Sequence, residues 1–290
     1  VTVKGANQAG EPPEVTVTPE TDYVNIINQA KTVPSSEVKG ITVDREHGTN
    51  NIIVEGSINI DYSVEAWRAV WEPTTFTLHI LKKALSQQGI TLEGKMERSD
   101  TPENAELLLT RSSIPLKDLM TPFMKLSNNG HGERLVKEMG KIVNGEGSWD
   151  EGLKVMEAQL ATLGIDTQTM LIRDGSGMSH KNLIKPNEIS ELLFHIQEKS
   201  WFPIFEASQP VAGEQDRMVG GSLTHRMKDA PLKGNVHAKT GSLTGVSTLS
   251  GYATANSGEK IIFSMMINNY VDGYMPRVID SMVEVFVEEL

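Results

Sequence analysis

The hydrophobic pattern of the chain changes once, near Pro115, and this change constrains the fold more than any other feature. Before it, alternating and β-branched runs predict strands. After it, apolar residues recur at helical spacing, and apart from a short run at 170–172 the strand patterns return only in the last third. Helices followed by neighbouring strands and a closing helix are typical of an α+β fold, with helices packed on an antiparallel sheet. We therefore predict a β-rich domain over 1–115 and an α+β domain over 116–290.

Within the first domain, strands are predicted over 15–18, 41–44 and 51–58, with a turn over 47–50 and a helix centred on Leu81 that stops at Gly89. Within the second, helices are predicted around Phe123, Leu135, Leu160 and Leu193. A capping box at Ser148 and Glu151 begins the third of these, and Pro186 begins the fourth. Strands are predicted over 170–172, 236–239, 246–255 and 260–268, with a hairpin turn over 256–259 and a final helix over 278–290.

Composition excludes several classes of function. The formal net charge of −11, without a dense basic run, argues against a nucleic-acid partner. No apolar run approaches the roughly 18 residues that a membrane span needs. The absence of cysteine excludes thiolate zinc sites, disulfides and cysteine nucleophiles. The seven histidines are scattered, without an i, i+4 pair, so no metal site is expected.

Two tracts carry residues suited to chemistry. The first is 125–130, which contains Ser127, Asn128 and Asn129 where a helix is predicted to end, and the second is 237–244, which contains Lys239, Thr240 and Gly241 on a strand. Each tract alone has an ordinary explanation, since Asn before Gly stops helices and a K-T-G string arises by chance. Their combination, S-x-N followed about 110 residues later by K-T-G on a strand before a hairpin, is typical of serine enzymes that bind β-lactams.

With these tracts in place, the sequence resembles the class C, low-molecular-mass penicillin-binding proteins, D-alanyl-D-alanine carboxypeptidases of the type-4 kind, as found in Bacillus. The segments that carry the resemblance are 45–50, 70–73, 122–131, 171–177, 210–213, 217–221 and 238–242, so it runs along nearly all 290 residues. It implies the penicillin-binding protein or serine β-lactamase fold for 116–290. It also implies that 1–115 is part of a β-rich accessory domain inserted before the S-x-N motif.

The resemblance also implies roles for individual residues. Ser127 would relay a proton to the leaving amine, Asn129 would donate its amide to the substrate's peptide carbonyl, and Lys239 would supply positive charge beside both Ser127 and the substrate carboxylate. The hydroxyls of Thr240, Ser242 and Thr244 would bind that carboxylate if they share one face of a strand. Gly241 would let the substrate approach closely, and the backbone N–H of Ser242 would help to form an oxyanion hole. Thr244 is equally well explained as an ordinary strand residue.

This sequence departs from the family pattern at the nucleophile. The nucleophile and its base come from an S-x-x-K motif that opens a helix, but the strings at 36–39 and 257–260 lie in turn-like stretches. A catalytic serine needs its lysine one helical turn away on the same face. We therefore expect neither serine to be the nucleophile, and we expect that segment to lie before Val1. This leads us to expect an N-terminal companion segment or chain, and otherwise an exposed apolar surface around Leu119, Phe123, Val278 and Phe286.

The sequence thus predicts a serine-type D-Ala-D-Ala carboxypeptidase, with or without endopeptidase activity, acting on peptidoglycan stem peptides through an acyl-enzyme. It would bind β-lactams, need no cofactor or metal, and work outside the cytoplasm in the cell envelope. Two alternatives stay open: a β-lactamase or esterase relative, and a non-catalytic module that binds cell-wall peptide. If one site is built from both tracts, the side chains of Ser127 and Lys239 should lie within about 3 to 4 Å.

Overall fold

The computed structural model describes residues 1–37, 40–271 and 273–290, which form two compact units, Val1–Leu108 and Leu109–Leu290. The change in hydrophobic pattern near Pro115 thus lies close to the boundary between the units. Among the described residues, no helix is both long enough and apolar enough to cross a membrane.

The first unit contains two small sheets and one helix. An antiparallel sheet has the strand order β2-β1-β7; in a second sheet, β6 pairs parallel with β3 and β4 and antiparallel with β5. The apolar side chains of Val3, Val43, Ile52, Val54 and Ile58 form its core. The elements are β1 (Thr2–Lys4), β2 (Glu14–Thr16), β3 (Asn25–Asn28), β4 (Lys31–Val33), β5 (Gly40–Arg45), β6 (Asn51–Asn59), β7 (Ser63–Glu65) and α1 (Pro73–Gln87).

The second unit is an antiparallel three-stranded sheet with helices on both faces, which confirms the predicted fold class. Its strands are β8 (His237–Leu243), β9 (Val246–Thr254) and β10 (Lys260–Asn268), in the order β10-β9-β8. Its helices are α2 (Leu116–Lys125), α3 (Asn129–Asn144), α4 (Trp149–Thr162), α5 (Pro186–His195), α6 (Phe202–Ser208), α7 (Arg217–Gly220) and α8 (Met275–Glu289).

The two faces of the sheet are covered by different helices because the strand side chains alternate. Leu249 and Ala253 of β9 belong to the same buried cluster as Ile279, Val283 and Val287 of α8. Tyr252, one residue out of phase with them, packs on the other face with Leu193 of α5. Helix α8 buries every fourth residue, Ile279, Val283 and Val287, and leaves most of the opposite face exposed, as its sequence pattern predicts.

Three local expectations need correction. Residues 170–172 form no strand: Leu171 makes a single bridge to Leu183, and two residues later the backbone N–H of Arg173 bonds to the Asn182 side chain instead of a strand. Asn128 and Asn129 begin α3, since the Asn128 side chain accepts the N–H of His131 at 3.1 Å as an N-cap. Only half of the predicted capping box is seen, with Ser148 accepting the N–H of Glu151.

The apolar surface expected around Leu119, Phe123, Val278 and Phe286 is exposed only in part, since Phe286 packs against the buried cluster between α8 and the sheet. Leu119 and Phe123 are partly buried, whereas Val278 of α8 is 47% exposed. A groove of about 430 Å³, almost wholly apolar, lies between α2 and α6 and is lined by Leu116, Lys117, Met120, Trp201, Ile204 and Phe205. Within the part of the chain that the structure describes, β10 pairs only with β9.

The packing of α8 on the sheet supports a stability prediction. We expect Ile279→Ala to lower the free energy of unfolding of the second unit by about 3 kcal/mol, because Ile279 is fully buried and its truncation leaves a cavity. Met282→Ala, on the exposed face of the same helix, should cost about 1 kcal/mol or less. Urea unfolding of a Trp67→Phe, Trp71→Phe background, followed by Trp149 and Trp201 fluorescence, measures both. Equal losses would contradict the assigned packing.

Candidate active site

Ser127 lies in a tight connection between α2 and α3. Helix α2 ends at Lys125, and Ser127 adopts a left-handed conformation with φ = 52°. This conformation is uncommon for a residue with a Cβ and is found where neighbouring structure imposes it. The backbone N–H of Asn128 bonds back to the Phe123 carbonyl at 3.0 Å, which holds the turn in place. The result is a serine hydroxyl projecting from a rigid helix-to-helix junction.

The side chain of Lys239 reaches this serine from β8. Its ammonium donates to Ser127 Oγ at 2.6 Å and to the Thr240 carbonyl at 2.8 Å. The two side chains are 112 positions apart in sequence, so only the tertiary fold brings them together. The contact expected from the pairing of the two tracts is therefore present in the structure.

Burial changes the acid–base properties of Lys239. Removal of the ammonium from water lowers its pKa from 10.5 to about 8, since desolvation disfavours the charged form. At neutral pH the amine is still mostly protonated, but the neutral form is within reach. Lys239 can therefore carry positive charge next to Ser127, and it can also exchange a proton with it.

The strand residues after Lys239 occupy three different environments. Thr240 donates its hydroxyl to Ser222 Oγ at 2.8 Å, and Ser242 is solvent-exposed. The placement of Thr244 on the strand is wrong: β8 ends at Leu243, and Thr244 and Gly245 form the two-residue turn into β9. Gly245 has φ = 69°, which suits glycine in such a turn, so the strand cannot continue through Thr244.

Gly241 is constrained by its cross-strand neighbour. A Cβ at this position would lie 2.4 Å from Thr248 Oγ1, on the strand paired with it. The sequence suggested glycine for close approach of a substrate, but the observed packing already requires it. Any larger residue at position 241 would displace Thr248 or bend β8.

Asn129 is the first residue of α3 and is exposed next to Ser127. One turn further along the helix, the carboxylate of Glu133 accepts the backbone N–H groups of Gly175 and Ser176 at 3.2 and 3.1 Å and the indole N–H of Trp149 at 2.6 Å. Desolvation alone would raise the pKa of Glu133, but these hydrogen bonds outweigh it and hold the pKa below its usual range. Glu133 thereby fastens the Gly-rich turn 173–177 to the helix that carries Asn129.

Neither serine of the two S-x-x-K strings opens a helix. Ser257 lies in the turn between β9 and β10, and the nearest ion-pair partner of Lys260 is Glu206, at 3.9 Å. Ser36 also lies in a turn; Val38 and Lys39 of the same string fall outside the described residues.

Sequence reasoning did not single out three residues around the site. Glu133 and Ser222 sit near the two tracts in space, but no motif marks them. Lys125 was noted only as part of the first tract, although it is 3% exposed and its pKa is lowered by burial. A lysine in a stretch of apolar residues at the end of a helix was the one available signal.

Comparison with known proteins agrees with this geometry. The model of the D-Ala-D-Ala carboxypeptidase 3 (S13) family matches residues 1–290. A D-alanyl-D-alanine carboxypeptidase from Actinomadura sp. (strain R39) is 38% identical over 284 residues, covering 97% of this chain and 52% of the relative. The D-alanyl-D-alanine carboxypeptidase DacB of Haemophilus influenzae is 29% identical over 255 residues, covering 86% of this chain and 52% of the relative.

Solved structures give the same result for the fold. Penicillin binding protein 4 (DacB) from Haemophilus influenzae aligns with a TM-score of 0.79 and 26% identity, over 99% of this chain and 65% of that one. The same protein complexed with a β-lactam aligns with a TM-score of 0.78. The chain spans about half the length of the curated relatives it matches. With the family model matching from end to end, the chain belongs to the D-Ala-D-Ala carboxypeptidase 3 (S13) family.

Proposed function

We propose that this chain forms the S-x-N and K-T-G side of the active site of a serine-type D-Ala-D-Ala carboxypeptidase. Such an enzyme cleaves the terminal D-alanine from peptidoglycan stem peptides through an acyl-enzyme and binds β-lactams at the same site. The observation that carries the proposal is the 2.6 Å hydrogen bond between Lys239 and Ser127. Membership of the carboxypeptidase family supports it.

Ser127 and Lys239 are proposed to move protons and hold charge. Acyl transfer needs a proton donor for the leaving amine, and a hydroxyl bonded to an ammonium is suited to that relay. The lowered pKa of Lys239, about 8, brings its proton exchange close to physiological pH. In this assignment Lys239 is charged when the substrate carboxylate arrives.

The exposed end of β8 is proposed to bind the substrate. Thr240 and Ser242, two residues apart, would direct hydroxyls at the terminal carboxylate, and the Ser242 backbone N–H would contribute to the oxyanion hole. Asn129 would donate its amide to the peptide carbonyl. A contribution from Thr244 would come from the turn and stays a prediction.

The setting of the reaction is also a proposal. Peptidoglycan lies outside the cytoplasmic membrane, so we place the protein in the cell envelope, and we propose that 1–115 belongs to an inserted accessory domain. The described residues give no support to a separate companion chain.

Recognition of the substrate carboxylate is tested by direct binding. We expect this chain to bind an N-acylated peptide ending in D-Ala-D-Ala, and Ser242→Ala to weaken binding about tenfold through loss of a hydrogen bond to a charged group. Ser257→Ala, in an exposed turn of the same sheet, should have no effect. Calorimetry with the acid and with its C-terminal amide completes the test. Equal affinity for the two peptides, in the unaltered chain, would contradict the proposal.

The pKa of Lys239 gives binding a predicted pH dependence. Because the free protein loses the Lys239 proton at about pH 8, affinity for the carboxylate peptide should be constant below that pH and fall above it, by up to tenfold per pH unit. Lys239→Arg, which stays charged, should make the profile flat between pH 7 and 10. A flat profile for the unaltered chain would show that Lys239 does not hold the carboxylate.

Acylation by penicillin tests whether Ser36 or Ser257 is the nucleophile. We expect labelled penicillin to form no ester with the 290-residue chain, because neither Ser36 nor Ser257 opens a helix that carries a lysine one turn later. Intact-mass spectrometry measures this directly. A stoichiometric adduct that maps to either serine would overturn the assignment.

A further inference from the structure

Lys125 is a buried charge that the proposed chemistry does not use. It is the last residue of α2, two positions before Ser127, and is 3% exposed. Among the residues that the structure describes, it has no carboxylate within ion-pair distance. A buried ammonium without a counter-charge costs stability, so its presence calls for an explanation.

The side chain of Lys125 joins α2 to the segment beside β8. Its ammonium donates a short hydrogen bond to the backbone carbonyl of Gln209. The next residue, Pro210, accepts the N–H of Ala238 at 2.9 Å, and Val211 forms a bridge with His237. Lys125 is therefore connected to β8 through the Gln209 carbonyl, the peptide bond to Pro210 and the hydrogen bond from Ala238, the residue before Lys239.

The main chain of Lys125 makes a second connection to β8. A Cβ on Gly221 would lie 2.5 Å from the Lys125 carbonyl oxygen, so the two backbones are in direct contact. Gly221 has φ = 55°, a conformation that favours glycine. The following residue, Ser222, accepts the hydroxyl of Thr240. Lys125 thus touches two segments, and each of them is bonded to β8 within one residue of Lys239.

Packing at this junction is polar and incompletely satisfied. Gln209 is 2% exposed, and its side-chain Oε1 has no hydrogen-bond partner among the described residues. An apolar side chain at position 125 would avoid the desolvation of an ammonium. A long side chain with a hydrogen-bond donor, however, links the end of α2 to the Gln209 backbone, which an apolar side chain cannot do.

We propose that Lys125 is a positioning residue that sets the S-x-N turn against the K-T-G strand and so holds Ser127 within hydrogen-bond distance of Lys239. It touches neither substrate nor the reacting atoms. Its importance for catalysis depends on the proposed function, whereas its effect on the Ser127–Lys239 contact can be measured without any ligand.

The test is a double-mutant cycle read at Lys239. Lysine labelled with ¹³C at Cε reports the titration midpoint of Lys239 by NMR, with the signal assigned from Lys239→Arg. In the unaltered chain, Ser127→Ala should lower the midpoint by about one pH unit, because the ammonium loses a hydrogen-bond acceptor. In a Lys125→Met background, Ser127→Ala should lower it by less than about 0.3, since the contact is already lost. Removal of the Lys125 charge also shifts the Lys239 midpoint by electrostatics. That shift is the same in Lys125→Met with and without Ser127→Ala, so it cancels in the difference between the two.

Lys117→Met provides the matched control, because Lys117 lies on the same helix but is exposed. In that background the full effect of Ser127→Ala should remain. If Lys125→Met does not fold, Gly221→Ala displaces the Lys125 backbone without removing its side chain and carries the same expectation. A full effect of Ser127→Ala in a folded Lys125→Met or Gly221→Ala protein would overturn the proposal. If the chain does not bind the D-Ala-D-Ala peptide but the double-mutant cycle gives the expected result, the proposed function is contradicted and the positioning role of Lys125 stands.

Discussion

The hydrogen bond between Lys239 and Ser127 is the contact on which the rest of the candidate site depends. It joins a helix junction to a sheet strand and brings together two groups that are far apart in the sequence. A serine hydroxyl is a poor proton carrier alone, and a lysine exposed to water keeps its proton at neutral pH. Burial of Lys239 beside Ser127 lowers the pKa of the amine to about 8, which brings its neutral form within reach near neutral pH, and it gives the hydroxyl a proton-exchanging neighbour.

This contact is maintained by structure on both sides. The sheet is held between α8 on one face and α5 on the other, which supports β8 although, within the described part of the chain, it has one full strand partner. On the helical side, the left-handed Ser127 is held between the end of α2 and the capped start of α3. An unfavourable backbone conformation in a short connection persists only where the elements on both sides are held in place. The buried Lys125 and the hydrogen bonds of Glu133 provide those anchors near the site.

The arrangement separates positioning from chemistry. Glu133 fixes a Gly-rich turn, Gly241 leaves room for Thr248, and Lys125 is proposed to set the approach of two tracts. Neither the Glu133 nor the Lys125 side chain is required to meet a substrate. The groups that are proposed to do so, Ser127, Lys239, Thr240 and Ser242, are at least partly accessible. The family relationship explains why these residue types occur together, and the contacts explain how they are held.

The sequence by itself determined the class of fold, the longer helices and strands and the identity of the two tracts, because hydrophobic period and turn residues are local properties. The short elements β1, β3, β4, β7, α6 and α7 were not predicted. The sequence placed β9, β10 and α8 within a few residues and paired S-x-N with K-T-G. It was wrong about Thr244 and about residues 170–172, where a two-residue turn and an Asn182 side chain compete with the strand for backbone hydrogen bonds. Only the tertiary structure decided the 2.6 Å approach of Ser127 and Lys239, the lowered pKa of Lys239 and the burial of Lys125. Each of these depends on desolvation or on contacts between segments far apart in the chain, which no local pattern encodes.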